Sequence, residues 1–196
     1  MPHRQRPYHH GDLRTALLAA AIREIESVGV EHLSLRSLAT EVGVSPSAAY
    51  HHFSDKDALI AAVALQGFAM LEQSVTVAAM SMPADADPAA RLSAAARAYI
   101  DFALAHPHLF RAAFSGHRPD MDTSGAVHPL LGELLDDIAE SGSVPAVLRE
   151  GADAVVWAAV HGMATLVLEG YFRIEDVPAH LAVLERTMRI GEFTPA

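Results

Sequence analysis

Hydrophobic residues recur along the chain with the spacing of helices. In the stretch "DLRTALLAAAIREIESVG", apolar side chains return every three or four positions, and charged side chains fall mostly between them. No segment has the sustained alternation of apolar and polar positions that a half-buried β-strand requires. Proline and glycine interrupt the apolar runs at intervals typical of helix ends. The pattern therefore predicts an all-α chain.

Capping residues and prolines predict where these helices begin. The predicted starts are Ser34, Ser45-Pro46, Ser54 with Asp57 as a capping box, Asp87-Pro88, Pro107, Val127, Pro145 and Asp176. Gly29 and Gly43 suit helix C-termini. The helix after Ser54 is predicted to run to about Met80, and a long helix from Pro145 to about Gly170.

Three short helices fall within the first 57 residues, and the second and third are joined only by "GVS". A short turn that contains glycine is typical of a helix-turn-helix, in which two helices meet at a steep angle. Ala39 is small where the two helices have to pack closely, and Gly43 suits the turn. The third helix is then predicted to be the recognition helix of a DNA-binding domain, with its N-terminal residues directed towards the bases.

Polar side chains that suit DNA contacts cluster at this predicted recognition helix. The candidates are Arg36, Ser45, Ser47, Tyr50, His51, His52 and Lys56. Free backbone N–H groups at a helix N-terminus favour phosphate near the two serines. Lys56 is the only lysine of the chain and is expected to face the phosphate backbone. Arg36 is expected to reach a phosphate or a guanine edge.

The His51-His52 pair has two other interpretations, a metal site and plain solvent exposure. Adjacent residues on a helix point about 100° apart, so the two imidazoles are poorly placed to bind one metal ion. DNA contact is the interpretation that the surrounding residues favour. We expect no metal site.

At these residues the chain resembles a known family. Residues 8–63, "YHHGDLRTALLAAAIREIESVGVEHLSLRSLATEVGVSPSAAYHHFSDKDALIAAV", are similar to the DNA-binding domain of TetR-family transcriptional regulators, above all in "LSLRSLATEVGVS" and "AYHHFSDKDAL". The resemblance implies an all-helical homodimer that represses transcription and leaves its operator when a small-molecule effector binds the C-terminal domain. The expected domains are a flexible basic arm at 1–10, a helix-turn-helix DNA-binding domain at 11–57 and a ligand-binding and dimerisation domain at 58–196.

Two later segments extend the resemblance. "AHPHLFRAAF" and "VVWAAVHGMATLVLEG" resemble a subgroup of that family in which a long helix carries a Trp-x-x-x-His-Gly pattern. The side chains expected to line the effector cavity are Phe102, Phe110, Phe114, Trp157, His161 and Tyr171. The same residues can equally form part of a hydrophobic core, so both interpretations stay open.

The last two helices are the candidates for the dimer interface. Small and aliphatic side chains there suit a four-helix contact between two subunits, namely Ala158, Ala159, Leu166, Leu181, Leu184 and Met188. Gly162 lies within a predicted helix, where glycine costs ~1 kcal/mol relative to alanine. A ligand or the partner subunit is therefore expected to approach closely at Gly162.

Composition and charge limit the classes of function and the kinds of site that the chain can have. The chain of 196 residues has a net charge of −10, yet its first 57 residues are close to neutral, which leaves DNA contact open. The absence of cysteine excludes disulfides and thiolate metal sites. No apolar run of about 18 residues and no signal-peptide pattern occur, so we expect a cytoplasmic protein without a membrane span.

No catalytic or phosphate-binding motif occurs in the sequence, so we expect a non-enzymatic protein without a cofactor. The alternative is an all-helical small-molecule binding protein or enzyme in which the helix-turn-helix is only structural. The polar surface of the third helix distinguishes the two, because a structural three-helix unit does not need it.

Overall fold

The chain is described by a computed structural model over residues 10–83, 85–115, 129–142 and 149–189. Within these residues it forms nine α-helices and no β-strand, which confirms the predicted all-α class. The helices are α1 (His10–Val28), α2 (Leu35–Val42), α3 (Pro46–His52), α4 (Lys56–Met80), α5 (Pro88–Ala105), α6 (Pro107–Ala113), α7 (Pro129–Glu140), α8 (Ala152–Leu168) and α9 (Val177–Arg189). Two 3-10 turns, Val30–His32 and Ile174–Asp176, precede α2 and α9.

Contacts between residues divide the chain into two compact units. Among the described residues, the first contains 10–68 and 106–115, and so holds α1 to α3, the first half of α4, and α6. The second contains the described residues 69–83, 85–105, 129–142 and 149–189, and so holds the rest of α4 with α5 and α7 to α9. The chain therefore runs through α4 into the second unit and returns to the first unit for α6.

The first unit is built around the apolar face of α1, which packs against α2, α3 and α6. Leu17 and Ile25 of α1, Leu38 of α2, and Leu59 and Val63 of α4 have no exposed surface. Burying an aliphatic side chain of this size stabilises a fold by about 1.5–3 kcal/mol. The three- and four-residue spacing of apolar positions in α1 thus becomes the core of this unit.

Within the first unit, α4 and α6 approach each other closely at Gly67. A Cβ atom added to Gly67 would lie 3.0 Å from Leu109 Cδ1 and 3.1 Å from its Cγ, which is closer than ordinary van der Waals contact. Three aromatic rings extend this contact between α4 and α6. The ring centroid of Phe114 lies 4.8 Å from that of Phe68 and 4.9 Å from that of Phe110.

α4 is long and apolar enough to cross a membrane. That criterion concerns length and composition only, and the core helix of a globular protein meets it as well. Leu59, Val63 and Ala64 have no exposed surface in the first unit. One face of α4 therefore packs in the core of the first unit.

The second unit is organised around α5, which packs against α7, α8 and α9. The side chain of Arg149 joins α7 to α8. Its Nε donates to Asp136 at 2.6 Å, its Nη1 to Asp153 at 2.7 Å, and its Nη2 to the carbonyl oxygen of Gly132 at 3.2 Å. The hydrogen bond with Asp136 is the main cause that raises the pKa of Arg149. The start of α8 is thereby fixed against α7.

Local signals predicted several boundaries correctly. α2 spans the predicted Leu35–Val42, and α3, α5, α6 and α9 begin at Pro46, Pro88, Pro107 and Val177 as expected. At the start of α5, Asp87 Oδ1 accepts a hydrogen bond from the N–H of Ala89 at 2.9 Å. The predicted start at Val127 lies outside the described residues.

The predicted continuous helix from Pro145 to Gly170 is wrong. α8 begins at Ala152, and Gly151 before it has φ +78°, a left-handed conformation that cannot belong to an α-helix. Pro145 itself lies outside the described residues. The apolar pattern predicted α8 correctly, but the predicted start was Pro145, whereas the helix begins directly after Gly151.

The predicted capping box of Ser54 and Asp57 at the start of α4 is also wrong. Asp55 Oδ1 accepts the N–H of Ala58 at 2.8 Å, and Ser54 Oγ donates to Asp55 Oδ2 at 2.9 Å. These hydrogen bonds lower the pKa of Asp55, that from Ala58 most strongly. A carboxylate accepts two hydrogen bonds more readily than a hydroxyl, so Asp55 takes the capping position.

We expect the substitution Gly67→Ala to lower the free energy of unfolding by about 1 kcal/mol, because overpacking against the buried Leu109 outweighs the gain in helix propensity. Gly132→Ala is the matched control, since its added Cβ would meet only ordinary contacts at 3.7 Å or more. That variant should be more stable than the parent by up to about 1 kcal/mol. Urea denaturation measures both, and equal shifts for the two variants would contradict the close approach of α4 and α6.

Candidate DNA-binding surface and effector site

The residues "EVGVSPS" fold into the turn between α2 and α3 through local hydrogen bonds. Gly43 has φ +80°, and its N–H and that of Val44 donate to carbonyl groups near the end of α2 at 3.1 and 2.9 Å. Ser45 Oγ then accepts the N–H of Ala48 at 3.2 Å, and Pro46 begins α3. Two short helices are thus joined at a defined angle, as a helix-turn-helix requires.

α3 has one buried and one exposed face. Ala49 and Phe53, four residues apart, are 0% and 3% exposed and lie in the core of the first unit. Ser47, Tyr50 and His51, spaced by three and four residues, are exposed together, with 45% of Tyr50 accessible. The structure therefore brings three of the predicted DNA-contacting side chains onto one outward face of a single helix.

The other residues predicted to contact DNA differ in their exposure and in their partners. Ser45 and Arg36 are exposed, and Arg36 makes no ion pair among the described residues, whereas His52 is half-buried. Lys56 Nζ donates to the carbonyl oxygen of Glu31 at 2.9 Å and is half-buried. Lys56 thus ties the Val30–His32 turn to the start of α4, a role inside the fold that its sequence position did not indicate.

Arg14 is a further cation beside the recognition helix that sequence reasoning missed. Its guanidinium carbon lies 5.1 Å from the ring centroid of Phe53, the residue that follows α3, and its side chain is exposed. A guanidinium over an aromatic face is held by the ring quadrupole. In the sequence, the only indication that Arg14 could take this role was its position on the polar face of α1. Among the described residues no group of His, Asp and Glu side chains is arranged to hold a metal ion.

In the second unit, a polar cluster joins α5 to α8. Tyr99 of α5 is 8% exposed, and its hydroxyl lies 2.8 Å from Nδ1 of His161 on α8. The rings of Trp157 and His161 have centroids 5.6 Å apart. Trp157 and His161 were predicted from the sequence, but Tyr99 was missed, because it lies on the apolar face of α5 among alanines.

Burial controls the charge of this cluster. It raises the pKa of Tyr99, and a hydrogen bond from Trp157 only partly offsets that effect. Burial also lowers the pKa of His161 from its usual 6.5. Both side chains are therefore neutral near pH 7.

The other predicted effector-site residues are distributed over the two units. Phe110 and Phe114 contact each other in the first unit, beside Phe68. Phe102 is buried in the second unit, and Tyr171 is 78% exposed after the end of α8. Of the six candidates, the structure pairs Trp157 with His161 and Phe110 with Phe114.

An apolar cavity of about 30 Å³ lies within the second unit. It is lined by Ala89, Leu92, Ser93 and Ala96 of α5, Ile138 of α7, Val156 and Val160 of α8, and Leu181, Leu184 and Glu185 of α9. A volume of this size holds about two water molecules. Leu181 and Leu184, predicted for the dimer interface, line this cavity.

The outward faces of α8 and α9 carry apolar surface. Ala158 is exposed and Ala159 and Leu166 are half-buried, whereas the side chain of Met188 lies outside the described part of the chain. Val155 and Val183 are 65% and 50% exposed. A Cβ added to Gly162 would meet no described atom of its own chain within 4 Å. Among the described residues, the space beside Gly162 is thus open.

Family models match both parts of the chain. Residues 17–63 match the model described as "Bacterial regulatory proteins, tetR family", and residues 92–190 match "Tetracyclin repressor-like, C-terminal domain". The chain belongs to the TetR family of transcriptional regulators. It is therefore a DNA-binding transcription regulator with a ligand-binding domain, and not an enzyme.

Solved structures agree with this assignment. A protein of unknown function from Rhodococcus sp. RHA1 is 33% identical, with a TM-score of 0.78 over 94% of this chain and 97% of that one. A TetR-family regulator from Pectobacterium atrosepticum is 22% identical over 93% of both chains, with a TM-score of 0.69. A TetR variant from Acinetobacter baumannii AYE in complex with minocycline is 21% identical, with a TM-score of 0.57 over 90% of this chain and 94% of that one. No protein of curated function gives a match.

Lowering the pH is expected to quench the emission of Trp157, the single tryptophan of the chain, with a midpoint below pH 6.5. A protonated imidazole in contact with an indole ring quenches its fluorescence, and burial keeps His161 neutral to lower pH. As the pH falls, the unfolded chain binds this proton at a higher pH than the folded chain does. The contribution of neutral His161 to the free energy of unfolding is therefore fully present above pH 6.5, and it is lost as the pH falls through the folded pKa. The His161→Gln variant should lack the transition. A midpoint at or above pH 6.5 would contradict the burial of this imidazole.

Proposed function

We propose that this TetR-family regulator is a cytoplasmic homodimeric repressor that binds a palindromic operator and leaves it when a small-molecule effector binds. The observation that carries the proposal is the exposed face of Ser47, Tyr50 and His51 on α3, opposite a buried face that holds the helix in place. A three-helix unit with a purely structural role needs the buried face only. The exposed face is of the right size and polarity for a major groove.

The charge distribution indicates which side chains would contact the bases and which would contact the phosphates. α3 contains no lysine or arginine, so base recognition would rest on hydrogen bonds from Tyr50 and His51 and on apolar contact. Arg36 and Arg14, both exposed near α3, would contact phosphate groups and fix the orientation of the helix. With so few cations, much of the specificity would depend on the three side chains of α3.

A palindromic operator requires two recognition helices related by a two-fold axis, about 34 Å apart. Val155, Ala158 and Gly162 follow one another on α8 at spacings of three and four residues, and α9 exposes Val183. These small and apolar side chains suit close contact between the α8 and α9 helices of two subunits. The open space at Gly162 among the described residues supports the same location.

The substitution Val155→Glu is expected to weaken the dimer by at least about a hundredfold, because a carboxylate buried in an apolar interface costs several kcal/mol. Analytical ultracentrifugation over a range of concentrations measures this change. Gln73→Glu introduces the same carboxylate at an exposed position of α4 and should leave the dimer intact. A Val155→Glu protein that dimerises like the parent would place the interface elsewhere.

The experiment that tests the function is an in vitro selection from random duplex DNA with the purified full-length protein at moderate salt. We expect recovery of an inverted repeat, because a two-fold dimer reads the same half-site twice. The spacing of the half-sites gives the distance between the two α3 helices. Failure to enrich any sequence, even at low salt, would favour an all-helical binding protein whose helix-turn-helix is structural.

On the recovered repeat, Tyr50→Ala is expected to weaken binding by roughly 10- to 100-fold, since one lost base contact costs about 1–3 kcal/mol. Thermal stability should change little, because Tyr50 is 45% exposed. Tyr171→Ala removes an exposed tyrosine of the second unit and is the matched control for affinity. Fluorescence anisotropy with labelled duplex measures both variants. Unchanged affinity for Tyr50→Ala would mean that the outward face of α3 does not read the bases.

A further inference from the structure

His51 lies on the exposed face of α3 and has no partner among the described residues of its own chain. Its imidazole forms no hydrogen bond, ion pair or ring contact there, whereas the neighbouring His52 is half-buried. Ser47 and Tyr50 lie on the same exposed face. A charged imidazole donates two hydrogen bonds. Both donors of His51 are therefore available at the surface that is proposed to meet DNA.

The charged groups around α3 give it no excess of positive charge. Arg23 of α1 and Glu41 of α2 neutralise each other in an ion pair of 2.7 Å. The other charged side chains of α2, of the Val30–His32 turn, of α1 beside Phe53 and of the start of α4 are Arg36, Glu31, Arg14, Asp55, Lys56 and Asp57. The other histidines of these elements are His32 and His52. None of the three carboxylates forms an ion pair with His51, and together they balance the three cations.

The whole DNA-binding part of the chain is equally short of positive charge. Its first 57 residues hold six Lys and Arg against seven Asp and Glu, but also six of the twelve His. α3 itself contains no Lys or Arg, so its two histidines are its only side chains that can become positive. Duplex DNA carries one negative charge per ~1.7 Å of helix axis. Histidine is the side chain that changes its charge between about pH 5 and 8.

We propose that the binding of this regulator to DNA is coupled to the uptake of a proton by His51, so that its affinity for DNA rises as the pH falls from about 8 to about 6. The inference rests on the proposed DNA-binding function and specifies how that function is regulated. A phosphate group or a guanine edge beside the imidazole favours its charged form. In the free protein no carboxylate of the described residues does so.

The sign of the effect follows from linkage. The DNA-bound state binds more protons than the free state, so lowering the pH stabilises the complex. One proton taken up over the whole interval would raise the affinity by up to about a hundredfold, and partial uptake gives about tenfold. Acidification would then strengthen operator binding without any change in the effector.

The test measures the affinity of the purified full-length protein for DNA between about pH 6 and pH 8 at constant salt. Fluorescence anisotropy is recorded with two labelled probes, the inverted repeat recovered by selection and a pool of random duplexes of the same length. We expect binding at least about tenfold tighter at the lower pH with each probe. Isothermal titration calorimetry in buffers of different ionisation enthalpy should show the uptake of about one proton per subunit. Circular dichroism checks that the protein stays folded over this interval.

Three variants test the assignment to His51. His51→Gln keeps an N–H donor but cannot become charged, so its affinities at the two pH values should differ by less than about twofold. His51→Arg is charged throughout, so it should bind as tightly at the higher pH as at the lower. His32→Gln removes an exposed histidine of the same unit outside α3 and is the matched control, which should keep the ratio of the parent. Because His51 is exposed and without a partner among the described residues, none of these changes should lower thermal stability.

Three results would each overturn the inference: an affinity of the parent that does not change with pH on either probe, a parent-like ratio in His51→Gln or His51→Arg, or an equal loss in His32→Gln. The repressor function is judged separately by the DNA selection. An enriched inverted repeat combined with any of these results would mean that the proton coupling alone is wrong. Proton-coupled binding of the random pool without an enriched repeat would keep the coupling and remove the specific operator. No binding of either probe at any pH would remove both.

Discussion

The burial of one face of α1 is the interaction on which the DNA-binding unit depends. Leu17 and Ile25 on that face have no exposed surface, and α2, α3 and α6 all pack against α1. α3 has only two turns and would not persist as an isolated helix. Its orientation comes from Ala49 and Phe53, which are held in the same core. Once that inner face is fixed, the outward direction of Tyr50 follows from helix geometry.

In the second unit the corresponding constraint is the contact of α5 with α8. The small side chains of α5 allow close packing, but Ala89 and Ala96 leave a cavity where a larger residue would fill the space. On the same helix, the buried hydroxyl of Tyr99 requires hydrogen-bonding partners, and His161 and Trp157 supply them. The packing of α5 and α8 thus leaves an apolar cavity and also buries a polar pair.

The path of the chain connects these two units at more than one point. α4 is a continuous helix whose first half packs in the first unit and whose second half belongs to the second. α5 is followed after a single residue, His106, by α6, which packs in the first unit and contacts α4 at Gly67. The backbone thus passes between the two units within α4 and again at His106. The close approach at Gly67 leaves α6 little room to move without moving α4.

The sequence by itself determined the features that rest on neighbouring residues. α2, the turn at Gly43 and the start of α3 at Ser45-Pro46 were predictable because caps and turns depend on local hydrogen bonds, and the polar face of α3 followed from its spacing. The choice of Asp55 as the cap of α4 was not, because adjacent Ser and Asp side chains both suit that role. The pairing of Tyr99 with His161 was decided only by the tertiary structure. These residues are 62 positions apart, and a hydrogen bond between distant residues leaves no periodic pattern in the sequence of either helix.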